Sequence, residues 1–335
     1  MSRIAILGTG AWGTALAISL SRRGGHAVTL LGRSEATSDA LNRDRENKVF
    51  LPGFPLAPEI AVTADVAGGL DSAEIIVSTV PSQYLRPTFE RIAPYFHARQ
   101  ILVSATKGIE DGTFLRMSEV IAETLAGRGF DVPVGVLSGP SFAQEVASGF
   151  PTAVTIAFED TGVATRIQRE FSSPTLRLYT NEDVIGVELG GALKNVVAIS
   201  SGVVTGLGLG HSSAAALMTR GIAEIIRLAV ACRGRRETLA GLSGLGDLVL
   251  TCTGALSRNR AVGIALGQGR PLPEILAGLE GKVAEGVRTT SAALGLAAKH
   301  GVEMPITKQV EAILHQARAP RDAIQELMGR PGRDE

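Results

Sequence analysis

The first half of the chain alternates short apolar runs with longer stretches that have the spacing of helices. Apolar runs of this length are typical of strands buried on both faces of a sheet. The predicted strands are residues 4–7, 27–31, 74–80, 100–104, 134–137, 152–158 and 175–179. The predicted helices are residues 14–21, 82–93 and 113–126. This alternation predicts an α/β fold, in which a parallel sheet is covered by helices on both faces.

The pattern changes near residue 181. From residue 184 onward there are helical patterns and glycine-rich turns, with no strong strand candidate. A long apolar helix is predicted at residues 185–204, and the glycines inside it predict close packing against a neighbour. Later helices are predicted at residues 214–232, 273–279, 288–299, 305–316 and 322–328. We therefore expect a Rossmann-type, doubly wound domain over residues 1–180 and an all-helical substrate or catalytic domain over residues 181–335.

Three glycines directly after the first predicted strand form the pattern G-x-G-x-x-G. Gly8 suits a sharp turn, Gly10 lets the backbone approach a pyrophosphate, and Gly13 lets the helix pack close to the strand. The N-terminus of the following helix offers unpaired N–H groups and the positive end of its dipole to phosphates. The position of the motif between a strand and a helix predicts a dinucleotide site.

Two other interpretations of this segment are an ordinary tight turn and a secretory signal at residues 3–20. Glycines within the apolar stretch, and the Arg22-Arg23 pair directly after it, argue against export.

The end of the second predicted strand bears on the choice of cofactor. An NAD-specific fold has an acidic residue near this point to bind the ribose hydroxyls, whereas this chain has Gly32 followed by Arg33. A cation here suits the 2′-phosphate of NADP, so we expect use of NADP or NAD with a preference for NADP. The alternative is a solvated surface arginine.

Composition limits the partners. Basic and acidic residues balance at 33 each, so nothing indicates a nucleic-acid or membrane-surface partner. No uncharged apolar run reaches the length of a membrane span, because Glu188 and Lys194 interrupt the best candidate. The two cysteines, Cys232 and Cys252, form no C-x-x-C pair and are expected to be reduced thiols of a cytosolic protein.

Two charged residues lie in apolar surroundings. Lys194 is part of the long apolar helix, where desolvation favours the neutral amine that can act as a base. The alternative is a lysine that reaches water or pairs with an acid. Asp247 is a lone carboxylate in a glycine-rich apolar run, and Lys194 is a natural partner for it. The alternative role for Asp247 is a helix cap.

A polar segment follows at Ser257, Arg258 and Asn259. An arginine with hydroxyl and amide donors suits a phosphate oxyanion, and a polar surface turn is the alternative. The five histidines form no H-x-x-x-H pair and have no cysteine partner, so no zinc or other metal site is predicted. Ser141 is not part of a nucleophile elbow.

Six stretches together resemble the bacterial-type NAD(P)-dependent sn-glycerol-3-phosphate dehydrogenases. They are Gly8-Thr-Gly-Ala-Trp-Gly-Thr-Ala15, Ser104-Ala-Thr-Lys-Gly-Ile-Glu110, Leu137-Ser-Gly-Pro-Ser-Phe-Ala143, Ala192-Leu-Lys-Asn-Val196, Gly244-Leu-Gly-Asp-Leu248 and Ser257-Arg-Asn259. They occur in the family's order over most of the chain, so the combination is highly specific.

The resemblance implies roles for individual residues. Lys194 would exchange the proton of the C2 hydroxyl, Asp247 would orient Lys194, and Lys107 would contact substrate and cofactor and help to keep Lys194 neutral. The implied substrate contacts are Lys107, Gly139, Ser141, Lys194, Asp247, Ser257, Arg258 and Asn259. With the glycine motif included, the expected cofactor contacts are Gly8, Gly10, Ala11, Trp12, Gly13, Arg33, Lys107, Ala143, Arg258, Val283 and Glu285.

The resemblance also implies a cytoplasmic homodimer that supplies glycerol 3-phosphate for glycerophospholipid synthesis, without stable membrane association. One stretch departs from the family, which often has an Asp-Asn pair where this chain has His211-Ser212-Ser213. Two other functions remain open. One is a related dehydrogenase that acts on a hydroxy acid or a ketopantoate-like substrate, and the other is a non-catalytic NADP-binding sensor.

Overall fold

A computed structural model describes residues 1–279 and 282–331. The described residues group into two compact units. The first unit comprises residues 1–107 and 115–188, and the second unit comprises residues 108–114 and the chain from residue 189 onward. The domain boundary predicted between residues 180 and 181 stays a proposal about how the chain divides.

The first unit is organised around a mixed sheet. Its strands and those of a separate hairpin are β1 (Ser2–Leu7), β2 (His26–Leu31), β3 (Glu46–Asn47), β4 (Leu51–Pro55), β5 (Ala61–Thr63), β6 (Ile75–Ser78), β7 (Ile101–Ser104), β8 (Val134–Ser138), β9 (Thr152–Ala157) and β10 (Leu176–Asn181). Among the described residues, eight strands form one sheet in the order β10-β9-β8-β7-β6-β1-β2-β5, and β3 pairs with β4.

Helices cover both faces of this sheet, as the sequence predicts. They are α1 (Ala11–Arg23), α2 (Glu35–Asp44), α3 (Val66–Asp71), α4 (Leu85–Ile92), α5 (Met117–Ala126), α6 (Ala143–Ser148) and α7 (Thr161–Phe171). Alternate residues of β1 enter different cores: Ile4 packs with Leu16 of α1, and Ala5 packs with Phe89 of α4. The doubly wound fold is therefore confirmed.

The prediction of a parallel sheet is wrong for one strand pair, because β9 runs antiparallel to β8. The last strand, β10, is parallel to β9. The connection explains the reversal. A parallel crossover must return the chain along the whole length of a strand. The six-residue helix α6 rises only about 9 Å, whereas β8, with five residues, spans about 16 Å. The eleven-residue helix α7 is long enough to connect β9 to β10 in parallel.

The second unit is helical, as predicted, and no strand occurs from residue 189 onward in the part of the chain that the structure describes. Its helices are α8 (Val184–Gly206), whose first residues belong to the first unit, α9 (His211–Ala231), α10 (Arg236–Leu239), α11 (Asp247–Thr253), α12 (Arg258–Gly267), α13 (Leu272–Ala277), α14 (Glu285–Lys299), α15 (Pro305–His315) and α16 (Pro320–Met328). A single π-helical turn, Leu242–Gly246, leads into α11.

Glycines let α8 contact its neighbours through the backbone. A Cβ atom on Gly190 would lie 2.6 Å from the carbonyl oxygen of Ser243, and one on Gly263 of α12 would lie 1.9 Å from that of Ile199. The close packing predicted for Gly190 is therefore confirmed. By length and composition α8 resembles a membrane-spanning helix, but 94% of its most apolar window is buried within the protein, which is the pattern of a core helix.

Candidate active site

The glycine motif connects β1 to α1, and each of its glycines has a different local environment. Gly8 has φ +107°, which favours glycine. A Cβ atom on Gly13 would lie 2.2 Å from the carbonyl oxygen of Gly8, so only glycine lets α1 approach the turn. A Cβ atom on Gly10 would have no atom within 4 Å, which leaves open space beside the backbone.

The first turn of α1 begins without a side-chain cap. Gly10 is the N-cap residue and makes no side-chain hydrogen bond, so no side chain of the N-cap competes for the first N–H groups of the helix. Ala11 and Trp12 follow in the first turn, half-buried. The N–H groups of an uncapped first turn, beside the open space at Gly10, fit the pyrophosphate of a dinucleotide.

We expect Gly10→Ala to separate folding from cofactor binding. Gly10 has φ −72° and ψ 176°, which alanine adopts, so the free energy of unfolding should stay the same or rise by about 0.4–1 kcal/mol. The added methyl group would occupy the open space, and the dissociation constant for NADPH should rise roughly tenfold or more. Thermal unfolding and a binding titration measure the two effects.

Gly210→Ala is the matched control. Gly210 is the N-cap residue of α9 with φ −73° and ψ 174°, and its Cβ position is equally open. An alanine there should leave NADPH affinity unchanged. Equal affinity in wild type and Gly10→Ala would contradict the phosphate-binding assignment.

The end of β2 offers a cation and no acid. Gly32 follows the strand, Arg33 is exposed, and the hydroxyl of Ser34 caps α2 by accepting a hydrogen bond from the N–H of Thr37 at 3.4 Å. A Cβ atom on Gly32 would lie 2.3 Å from Oγ of Ser38, so a larger residue is excluded at this point unless Ser38 moves. The exposed guanidinium of Arg33 is the charged group nearest in sequence to the strand end.

The remaining predicted site residues of the first unit follow two neighbouring strands. Lys107 comes after β7 and is half-buried. Gly139 and Ser141 come directly after β8, where the Ser141 hydroxyl donates to the carbonyl oxygen of Gly139 at 3.0 Å. Ala143 is the first residue of α6. In parallel sheets ligands bind beyond the carboxyl ends of the strands, and these residues lie at such ends.

In the second unit the structure brings Lys194 and Asp247 together. The Lys194 side chain is 7% exposed and that of Asp247 is 1% exposed. The lysine Nζ donates to Oδ1 of Asp247 and, at 2.8 Å, to the hydroxyl of Thr251. That hydroxyl donates in turn to the carbonyl oxygen of Asp247 at 2.6 Å. A buried lysine therefore sits in a fixed position, held by two oxygens of α11.

Thr251 has no place among the residues predicted from the sequence. Asp247 and Thr251 are four residues apart on α11, so both side chains lie on the face that meets Lys194. The D-x-x-x-T spacing is the sequence signal for this pair, but a threonine in an apolar helix does not by itself indicate a functional residue.

Cys252 is buried beside this cluster, and burial raises the pKa of its thiol to about 12. We expect the thiol to stay protonated at about pH 8 and to resist alkylation in the folded protein, because the thiolate is the nucleophile. The half-buried Cys232 should be modified first. Peptide mapping after a timed alkylation measures both rates, and equal rates would contradict this description of the site.

The segment predicted to bind phosphate forms the start of α12. Ser257 caps the helix by accepting from the N–H of Arg260 at 3.2 Å. Arg258 is the first helical residue and retains exposed surface. Desolvation by the surrounding protein lowers the pKa of Arg258, and Glu285 opposes this shift. The guanidinium remains a cation at neutral pH.

The amide of Asn259 has internal partners. Its Nδ2 donates to Oδ1 of Asn195 at 3.0 Å, and its Oδ1 accepts from the N–H of Gly286 at 3.0 Å. The buried Asn259 therefore links α8 to the start of α14, where Glu285 is the first residue. Asn195, which follows Lys194 in sequence, is a second residue of the site, besides Thr251, that is not among those predicted from the sequence.

Two further points concern the predicted residues. Val283 is half-buried and precedes α14, whereas Gly281, two residues before it, lies outside the described residues. Within residues 1–279 and 282–331, no group of three or more His, Cys, Asp or Glu side chains could hold a metal ion.

Known proteins match both halves of the chain. The family model for the N-terminus of NAD-dependent glycerol-3-phosphate dehydrogenase matches residues 3–164, and the model for its C-terminus matches residues 183–325. Glycerol-3-phosphate dehydrogenase [NAD(P)+] of Acidobacterium capsulatum is 61% identical over the whole of both chains. The enzyme of the same name from Koribacter versatilis is 56% identical over all of this chain and 99% of the relative.

A solved structure extends the similarity. The crystal structure of glycerol-3-phosphate dehydrogenase from Coxiella burnetii matches with a TM-score of 0.93 and 40% identity, and the match covers 98% of this chain and 99% of that one. Both halves of the sequence match, and the match in three dimensions spans nearly the full chain. The chain therefore belongs to the NAD-dependent glycerol-3-phosphate dehydrogenase family.

Proposed function

We propose that this chain is an NAD(P)-dependent oxidoreductase that interconverts sn-glycerol 3-phosphate and dihydroxyacetone phosphate. The observation that carries the proposal is the buried Lys194, held by Asp247 and Thr251 in a chain of this family. The residues around the glycine motif fit a dinucleotide, whose nicotinamide supplies or accepts the hydride at C2 of the substrate.

Lys194 is assigned the proton transfer. During reduction, the C2 oxygen gains negative charge as its carbon receives the hydride, and Lys194 Nζ gives that oxygen a proton. During oxidation, the neutral amine takes the proton from the hydroxyl as the hydride leaves. Asp247 and Thr251 fix the position of Nζ, and the low exposure of this cluster keeps water away from it.

We assign substrate recognition to residues that bind the phosphate group of the substrate. Arg258 at the start of α12, with the cap residue Ser257, supplies charge-assisted donors to an oxyanion. Asn259 contributes through its position, since it fixes the start of α14. We further assign Lys107, Gly139 and Ser141 to the substrate.

The cofactor assignment is NADP or NAD. Besides Gly8, Gly10 and Gly13, we assign cofactor contact to the following residues: Ala11, Trp12, Arg33, Lys107, Ala143, Arg258, Val283 and Glu285. Arg33, with no acid at the end of β2, supports a preference for NADP. We also propose a cytoplasmic homodimer that serves glycerophospholipid synthesis and does not bind membranes stably.

A substrate panel tests the proposal against its alternatives. Purified protein with NADPH or NADH should reduce dihydroxyacetone phosphate, and dihydroxyacetone and ketopantoate should react far more slowly. Faster turnover of an unphosphorylated keto acid would favour a hydroxy-acid or ketopantoate-type dehydrogenase. NADPH binding without turnover of any of them would favour a sensor.

A further inference from the structure

The carbonyl groups of the glycine loop accept hydrogen bonds from within the protein. The N–H and the hydroxyl of Thr79 donate to the carbonyl oxygen of Leu7, both at 2.9 Å, and the hydroxyl also reaches that of Gly8 at 3.2 Å. The carbonyl oxygen of Gly10 accepts from the N–H of Thr14 in the first turn of α1. The carbonyl between them, that of Thr9, accepts from a side chain that comes from the β3–β4 hairpin.

That side chain is Asn47, which is 4% exposed. Its Nδ2 donates both to the carbonyl oxygen of Thr9 and to Oγ1 of Thr14, each at 2.8 Å. Its Oδ1 accepts from the N–H of Phe50 at 3.1 Å. The network fixes the orientation of the amide, because the carbonyl of Thr9 requires a donor and the N–H of Phe50 requires an acceptor.

We propose that Asn47 is a positioning residue for cofactor binding, an inference that rests on the proposed dinucleotide site. A loop binds a pyrophosphate with its N–H groups, and a carbonyl oxygen turned toward that anion would repel it. Asn47 holds the Thr9 carbonyl on the protein side and ties it to the first turn of α1. The loop is thereby preorganised, so binding does not bear the cost of ordering it.

Only an amide of this size satisfies all three contacts. Aspartate keeps the acceptor for Phe50 but loses both donors and sets a carboxylate against two oxygens. Alanine removes all three hydrogen bonds. We therefore expect Asn47→Ala to raise the dissociation constants for NADPH and NADH by roughly tenfold or more, and Asn47→Asp to raise them at least as much.

Asn42→Ala is the matched control. The Asn42 amide on α2 also donates to a backbone carbonyl, that of Val62 at 2.9 Å, and among the described residues this bond does not involve the glycine loop. The sole tryptophan of the chain, Trp12, lies in the first turn of α1, so its fluorescence reports cofactor binding without any turnover. Thermal unfolding of each variant shows whether the fold is kept.

The expected result is a parallel rise for NADPH and NADH in the Asn47 variants, because the pyrophosphate is common to both. The kcat at saturating cofactor and the KM for dihydroxyacetone phosphate should stay within about twofold of wild type, and Asn42→Ala should bind like wild type. Dissociation constants of folded Asn47 variants equal to those of Asn42→Ala would overturn the proposal. A rise for NADPH alone would also overturn it, since it would indicate a 2′-phosphate contact.

The cofactor-binding measurement does not depend on which reaction the protein catalyses. If NADPH quenches the Trp12 fluorescence of the wild type without any turnover of dihydroxyacetone phosphate, the proposed function fails. In that case the dissociation constants of the Asn47 variants still test the role of Asn47. If Asn47→Ala does not fold, the isosteric Asn47→Asp, which keeps the contact with Phe50, gives the same measurement.

Discussion

Lys194→Met should lower the kcat for reduction of dihydroxyacetone phosphate by roughly 10²- to 10⁴-fold, the range over which general acid–base catalysis contributes. Methionine approximates the length of the lysine stem and cannot exchange a proton. The KM for the substrate should change much less than kcat, because the transferred proton matters most in the transition state. Initial rates of NADPH oxidation over a range of substrate concentrations separate the two constants.

Two further variants distinguish loss of catalysis from loss of folding. Removing the lysine leaves Asp247 buried without its cation, which is destabilising. Lys194→Arg keeps a cation beside Asp247 and cannot lose its proton at ordinary pH, so it should fold well and still fail as a base in glycerol 3-phosphate oxidation. Lys308→Met, at an exposed position of α15, should retain full activity. Near-wild-type kcat in folded Lys194→Arg would remove Lys194 from the mechanism.

The second large effect is expected at Arg258. Arg258→Ala should lower kcat/KM for dihydroxyacetone phosphate by roughly tenfold to a few hundredfold, the size of a charge-assisted hydrogen bond to an anion. At saturating NADPH, which offsets a lost contact between Arg258 and the cofactor, the slow reaction of unphosphorylated dihydroxyacetone should change little, because that substrate has no anion to lose. Comparing kcat/KM for both substrates isolates the contribution of the phosphate.

Arg288→Ala is the control for this comparison, since Arg288 is an exposed arginine of α14 in the same unit. It should affect neither substrate. Equal losses for the phosphorylated and unphosphorylated substrates in Arg258→Ala would show that Arg258 acts on something other than the phosphate.

The sequence indicates strands better than it indicates their direction. The apolar runs at β1, β6 and β7 locate buried strands because both faces of a central strand meet a core. The direction of β9 is set by the length of α6, which no hydrophobic pattern encodes. The hairpin of β3 and β4 is also missed, since its residues are mostly polar, glycine or proline.

The candidate site is similarly divided. Lys194 and Asp247 are conspicuous because a charge in an apolar run needs a partner, and the structure pairs them. Thr251 and Asn47 are ordinary in their local sequence. Thr251 matters because it contacts Asp247, four positions away on the same helix. Asn47 matters because it contacts Thr9, more than thirty positions away in the sequence. Such residues become visible only when the chain is folded.

The proposed reaction transfers a hydride to C2 of a three-carbon phosphate. To test this, purified protein is incubated with dihydroxyacetone phosphate and NADPH deuterated at C4 of the nicotinamide, and the product is analysed by mass spectrometry. We predict glycerol 3-phosphate that carries deuterium at C2, with an equal amount of oxidised cofactor. Bound NADPH that is not consumed, or deuterium in any other product, would contradict hydride transfer to dihydroxyacetone phosphate.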